Sequence, residues 1–328
     1  MKYRKLGKTG MEVSAISIGT WQVGGKWGST FDTANADAIL NKAIDAGVNF
    51  IDTADVYSDG DSEKAVGKIV KSRSEKIYVA TKCGRQVQPH VNEGYQPAVL
   101  RKYVEDSLKR LQLDTIDLIQ LHCPPTAVYY RPEIFELFDA LKQEGKIQHL
   151  GVSVEKVEEA LKAIEYDNVT TVQIIFNMFR QRPAQLFFRE AQQKNIGIIV
   201  RVPLASGLLT GTYTAGTSFT EGDHRNFNRN GAAFDKGETF SGIDYATGLA
   251  AVEALKKIFP QDTNLAAVAL RWILQFDAVS CIIPGASNPG QVDANINALQ
   301  IPELTPAQLQ AVQEVYEKYI KKSVHHLW

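Results

Sequence analysis

Short apolar strands alternate with amphipathic helices eight times along these 328 residues. That alternation predicts an α/β fold, a single (β/α)8 TIM barrel over residues 1–328 with an N-terminal β-hairpin and a long loop after strand seven. Two further observations favour a barrel over an open doubly wound sheet. The strand-like runs are nearly all apolar, as strands of a parallel sheet covered on both faces must be. No GxGxxG follows any of them, and no composition shift or low-complexity stretch marks a domain boundary.

The elements follow in order. Tyr3–Leu6 and Glu12–Ser14 flank the turn Gly7-Lys8-Thr9-Gly10 and read as a hairpin. The eight barrel strands are then Ala15–Ile18, Phe50-Ile51, Ile77–Ala80, Ile116–Leu121, Ile147–Val152, Val172–Ile175, Ile198–Val202 and Cys281–Ile283. Between them, Leu100, Tyr103, Val104, Leu108 and Leu111 share one helical face, as do Val157, Ala160, Leu161 and Ile164. The run from Leu265 to Phe276 repeats this spacing behind a cap expected at Asp262 or Thr263. Thr305-Pro306 opens a last helix expected to bury Leu309, Val312, Tyr316 and Tyr319. About forty polar, Gly-rich residues between Val202 and Asp244 break the rhythm. A loop of that length in a compact domain is usually functional, and this one is expected to lie at the catalytic rim and fold over a bound ligand.

Composition bounds the function. Hydrophobic residues make up 44% and charged residues 22%, and the net charge of −1 provides no general attraction to nucleic acid or anionic lipid. No run reaches a membrane span, and MKYRKLGKTGMEV lacks the apolar core of a signal peptide, so a cytoplasmic protein is expected. Cys83, Cys123 and Cys281 are too scattered for a disulfide framework or a zinc site and read as buried thiols.

The chemistry concentrates at strand ends. Asp52, Lys82 and His122 end the second, third and fourth strands, and Tyr57 follows Asp52 in the next loop. Each has an ordinary structural role open to it, from helix cap to rim aromatic. Barrel closure would bring all four to the C-terminal rim, where catalytic residues of such folds lie. A phenol donates protons poorly at neutral pH, and a neighbouring ammonium favours its ionised form.

Here the chain resembles the aldo-keto reductase family. Asp52-Thr53-Ala54-Asp55-Val56-Tyr57 with Gly60, Ser62-Glu63 and Gly67 is similar to its DTAxxYGxGxSExxxG signature. Further blocks follow in family order: Leu108–Leu111 with His122, Gly145–Ile147 with Gly151–Ser153, Gln173 with Asn177, Pro203–Gly211, and Ile283–Ala286. Length and loop are nearest the branch of the inositol-operon-type reductases, which resembles the potassium-channel β subunits. The resemblance implies hydride transfer from NADPH to an aldehyde or ketone carbonyl. Tyr57 would be the general acid, with Lys82 lowering its pKa, Asp52 pairing Lys82, and His122 holding the carbonyl oxygen. No metal is called for.

The resemblance also implies a dinucleotide laid across the rim. Ser153, Gln173 and Asn177 would hold the carboxamide, beside Thr20 and Trp21 after the first strand. Pro203, Leu204, Ser206, Gly207, Leu208, Thr210 and Gly211 would form the pyrophosphate loop, and Gly285, Ser287, Gln291 and Asn295 the adenosine end. Four positions depart from the family pattern. Val154 stands for a common asparagine, Arg201 for an aromatic that stacks on the nicotinamide, Thr212 for a lysine, and Ser287 for a cation near the 2′-phosphate. NADP(H) is still preferred on family grounds, with NAD(H) open and with Arg225, Arg229 and Lys236 as compensating cations.

Trp21, Trp27, Tyr129 and Tyr130 are expected to line the substrate pocket, with Arg131 and Arg201 as candidate anion clamps, and His325-His326 lies at a frayed end or a pocket edge. Two alternatives stand beside the reductase: a Schiff-base aldolase-type barrel using Lys82, and a nicotinamide-binding regulatory subunit with negligible turnover. The expected partner is a small carbonyl substrate, not nucleic acid or membrane.

Overall fold

The computed structural model describes residues 1–25 and 30–328. Trp27, one of the pocket candidates, lies outside the described residues.

A hairpin of β1 (Tyr3–Lys5) and β2 (Glu12–Ser14) precedes eight parallel strands in consecutive spatial order. These are β3 (Ile18–Gly19), β4 (Phe50–Asp52), β5 (Tyr78–Cys83), β6 (Ile116–His122), β7 (Ile147–Ser153), β8 (Val169–Ile175), β9 (Gly197–Arg201) and β10 (Val279–Ile282). The first and last approach each other through the parallel bridges Ile16–Ile282 and Gly19–Gly285, so the sheet nearly closes into a (β/α)8 barrel.

Helices α1 (Thr33–Asp45), α2 (Asp61–Ser72), α3 (Pro97–Leu111), α4 (Pro132–Gln143), α5 (Val157–Ala163) and α6 (Phe187–Gln193) each follow a strand. After β9 come the single turn α7 (His224–Phe227), then α8 (Tyr245–Lys256) and α9 (Leu265–Leu274). After β10 come α10 (Pro289–Ile296), α11 (Pro306–Val315) and α12 (Lys321–Val324). Among the described residues no helix is long and apolar enough to cross a membrane.

Two apolar clusters hold the fold. The larger packs the helices against the outer faces of the strands. The smaller fills the barrel, where Phe50, Ala80, Leu118, Ile199 and Cys281 point inward onto the hairpin residues Leu6, Met11 and Val13. The hairpin therefore plugs the bottom. Above this floor the inward positions turn polar. Two-residue alternation takes Phe50 to Asp52, Ala80 to Lys82 and Leu118 to Gln120 and His122, all at the C-terminal ends.

Several boundaries differ from expectation. The first strand begins at Ile18, with Ile16 making only an isolated pairing. β8 starts three residues early because Thr170 and Thr171 join the ladder, and an apolar-run criterion passes over them. Asn264, not Asp262 or Thr263, caps α9, its Oδ1 accepting the Ala267 N–H at 3.1 Å. In the last helix Val312 and Tyr316 are buried, but Leu309 and Tyr319 are only half-buried.

Candidate active site

The polar layer of the barrel converges on one charge pair. The Lys82 ammonium bonds the Asp52 carboxylate, donates to the Thr53 carbonyl at 2.8 Å and lies 3.3 Å from the Tyr57 hydroxyl. Asp52 uses both oxygens, the second accepting from Gln120 at 2.9 Å and from Gln173 at 2.8 Å. Tyr57 and His122 stand above the pair with their rings edge-on, centroids 6.1 Å apart. Asp52, Tyr57, Lys82 and His122 are thus brought together.

Burial governs their charge states. It disfavours the Lys82 ammonium, but Asp52 and Tyr57 more than offset it, and the lysine sits above its ordinary value. Burial raises Tyr57 above 10 and outweighs the opposing influence of Lys82. Lys82 acts on the phenol in the expected direction, but in a desolvated niche the cost of an anion exceeds the benefit of one adjacent cation. His122 is held well below 6.5 by burial, then by Arg85, Lys82 and Arg201, so its ring is neutral. Its buried Nδ1 has no hydrogen-bond partner among the described residues.

A cleft of about 380 Å³ opens over this group. Of the expected cofactor residues, Thr20, Trp21, Gln173, Arg201, Pro203, Leu204, Ser206, Gly207, Thr210, Gly285, Gln291 and Asn295 line it. Ser287 lines a smaller adjoining cleft. Ser153, Leu208, Gly211 and Asn177 do not line either. Ser153 faces Cys123, Leu208 is core, and Asn177 braces Val202 and Ser241. Gln173 reaches the cleft, but its amide nitrogen is committed to Asp52 and Gln120.

The residues fit a dinucleotide in two respects. Ser206 and Gly207 adopt left-handed backbone (φ 55° and 96°) in the turn at the cleft's side, and a Cβ on Gly207 would lie 2.3 Å from the Tyr213 hydroxyl. A larger residue there would distort the turn. At the other end, the unpartnered His122 nitrogen and the Tyr57 hydroxyl provide polar groups beside the charge pair.

Sequence reasoning missed a second polar cluster. Arg85, three residues beyond Lys82, and Arg201 both bond Glu238, at 3.1 and 3.2 Å, and Arg201 also holds Glu155 at 2.9 Å. Burial and the adjacent Glu238 push Glu155 up, whereas the two arginines overcome burial to pull Glu238 down. The two carboxylates therefore titrate as a pair. Arg201 is an ion-pair partner here, its Nη2 also donating to the Val154 carbonyl at 3.1 Å.

Glu238 comes from the long loop, which is not irregular. It carries α7 and short 3-10 turns, and it buries Asn228, Thr239, Phe240 and Ser241. His224 packs against Trp21 with ring centroids 4.6 Å apart and the rings tilted by 55°, and Phe234 lies across Trp21 at 6.3 Å. The loop covers the rim as the sequence suggested.

The other substrate candidates fall away. Tyr129 is fully buried, its hydroxyl directed at the Ser153 carbonyl, and Tyr130 is exposed on the surface. Arg131 donates to the Asn92 and Tyr95 carbonyls at 2.8 Å, outside the cleft. His325 is bonded to Tyr316 and Gln185, also away from it. The three cysteines are free and buried.

Comparison with known proteins agrees with this geometry. The family model described as "Aldo/keto reductase family" matches residues 15–317. The aldo-keto reductase YhdN of Bacillus subtilis is 32% identical over 304 residues, covering 90% of this chain and 87% of that protein. A putative voltage-gated potassium channel subunit beta of Schizosaccharomyces pombe is also 32% identical, over 95% of this chain and 92% of its own. Among solved structures, the holo form of aldo-keto reductase AKR11C1 from Bacillus halodurans superposes with a TM-score of 0.77 at 29% identity, covering 96% of each chain.

Proposed function

The chain belongs to the aldo/keto reductase family, and from that premise we propose that it reduces an aldehyde or ketone carbonyl, with Tyr57 as the general acid. A bound nicotinamide dinucleotide, NADP(H) or NAD(H), would supply the hydride. The observation that carries the reading is the buried Asp52–Lys82 pair set 3.3 Å beneath the Tyr57 hydroxyl, at the floor of a cleft that His122 also lines.

The same burial supports Tyr57 as the proton donor. It keeps Tyr57 protonated and His122 neutral at physiological pH, so the phenol is the loaded donor of the two. Neutral His122 keeps one ring N–H with which to hold the carbonyl oxygen, a contact that strengthens as alkoxide character develops. When Tyr57 gives up its proton, Lys82 faces the new phenolate directly and Asp52 holds the ammonium in place. This arrangement argues against a Schiff-base role, because a fully buried, charge-paired ammonium has no free lone pair for attack.

The test follows oxidation of NADPH and of NADH with an aromatic aldehyde, for wild type and Tyr57→Phe. Loss of the acid is expected to cut turnover by about 10²- to 10⁴-fold with dinucleotide binding intact. A variant that turns over like wild type would remove Tyr57 from the chemistry. The similarity to a potassium channel subunit beta supports a second reading, a dinucleotide-binding subunit. Tight binding with no turnover of any carbonyl by wild type would favour it.

A further inference from the structure

We propose that the adenosine end of the cleft selects NAD(H) over NADP(H), and that Ser287, Gln291 and Asp223 set the choice. This rests on the nicotinamide-dependent reading above and concerns the opposite end of the cleft from Tyr57.

The chain leaves β10 through Pro284-Gly285 and enters α10 behind its cap Asn288. Gly285, Gln291 and Asn295 line the main cleft. Ser287 and Gln291 also line the smaller adjoining one, whose other side comes from the long loop, with Thr220, Asp223 and Arg225. A dinucleotide with its nicotinamide over Tyr57 would bring its adenosine ribose to this region.

A ribose 2′-phosphate carries about −1.5 to −2 charges at neutral pH. It is bound by cations or by N–H donors with capacity to spare. The described residues provide little of either. Arg225 is the one lysine or arginine among those lining the smaller cleft. Its guanidinium is already held by Asp223, through Nε at 2.9 Å and Nη2 at 2.5 Å, while Nη1 bonds the Tyr213 hydroxyl.

The other cations expected to compensate lie elsewhere. The Arg229 guanidinium lies 5.2 Å from the centre of the Tyr245 ring, and exposed Lys236 lines neither cleft. The donors at the start of α10 are spent internally as well. The Ser287 N–H goes to Gln291 Oε1 at 2.7 Å and the Gln291 N–H to Asn288 Oδ1 at 3.1 Å.

What the region offers is acceptors, chiefly the Asp223 carboxylate and Gln291 Oε1. A free ribose hydroxyl can donate to a carboxylate, whereas a phosphate dianion meets it as a like charge. Among the described residues the cleft therefore offers a 2′-phosphate no free cation, because its one arginine is neutralised by Asp223.

Isothermal titration calorimetry of the full chain with NADH and with NADPH, at one ionic strength, tests this without recourse to turnover. Wild type is expected to bind NADH at least ~10-fold more tightly, the scale of one lost charge-assisted contact. Ser287→Arg restores a cation and is expected to tighten NADPH by about tenfold, with NADH little changed. Asp223→Ser removes the carboxylate and frees Arg225, and should move the ratio the same way; it serves as the second variant if Ser287→Arg fails to fold. NADPH binding to wild type as tightly as NADH would overturn the selection and leave the reductase reading standing. If neither dinucleotide binds, both fall together.

Discussion

Asp52→Asn is the substitution that most directly tests the dryness of the site. The Lys82 and Asp52 side chains are 1% and 2% exposed. The ammonium's other neighbours, the Thr53 carbonyl at 2.8 Å and the Tyr57 hydroxyl at 3.3 Å, are both neutral. Asparagine at position 52 therefore strands a desolvated cation, and breaking a buried pair in this way costs about 3–5 kcal/mol. A second penalty overlaps with the first. Asp52 presents an oxygen to Lys82 and another to Gln120 and Gln173, whereas an asparagine has one acceptor. Whichever way the amide turns, an NH2 faces donors, at about 1–3 kcal/mol.

A loss near 4 kcal/mol is expected, a large part of the 5–15 kcal/mol that holds a typical domain together. Urea unfolding followed by far-UV circular dichroism measures it for wild type, Asp52→Asn, Lys82→Met and the double variant. The double variant should lose about 2–3 kcal/mol less than the sum of the singles, because it leaves no orphaned charge. A loss below about 1 kcal/mol for Asp52→Asn would be that of a solvent-screened pair. Burial would then not set the charge states of Tyr57 and His122.

Three further outcomes are expected. Asp55 is buried with no side-chain hydrogen-bond partner among the described residues, and burial, then Glu63, raises its pKa from 3.8 to about 7. Its protonated form is favoured in the folded state, so stability falls as pH rises from about 4 to 7. Asp55→Asn should then gain up to about 4 kcal/mol at pH 8 and nothing near pH 3, and a gain that grows toward acid would reverse the sign of this reasoning. Trp328 donates to Asp235 at 2.8 Å, lies over the Arg180 guanidinium at 4.1 Å, and is packed so closely that a Cβ on Gly242 would meet its ring at 2.4 Å. Trp328→Ala should speed amide hydrogen exchange across residues 234–242, which carry Glu238, while the strands stay protected; uniform acceleration would mean global destabilisation instead. The rate of carbonyl reduction should be flat from pH 6 to 9, since Tyr57 stays protonated and His122 neutral throughout, and a descending limb near pH 7 in kcat/KM would contradict it.

Three of the four candidate catalytic residues were legible because a local rule fixes each. Asp52, Lys82 and His122 end apolar runs, and alternation along those runs carries them from the packed barrel floor to the open rim. Gln120 was legible by the same rule, two residues before His122 on the same face, but was overlooked. Glu238 was not legible. It lies 153 residues from Arg85 in a polar segment without periodicity, and nothing in its neighbours' sequence says that it turns inward. Tyr129 misled for the opposite reason. An aromatic just past a strand end looks like a pocket wall, and only the short turn Thr126–Tyr130 reveals that it packs into the core.

The sign of the Tyr57 shift belongs with Glu238 among the things a sequence does not carry. Residue types say that Lys82 opposes a high phenol pKa; they do not say how much water reaches the hydroxyl, and here burial is the larger influence. The consequence is chemical. Lys82 does not hold Tyr57 ionised at rest, which would leave the site with no proton to give. On the proposed reading it lowers the cost of the phenolate only when the proton departs, the moment at which a fixed ammonium in a dry site contributes most. That reading calls for an ion pair already fixed before substrate arrives, and the barrel holds Asp52 with donors from two further strands, Gln120 on β6 and Gln173 on β8.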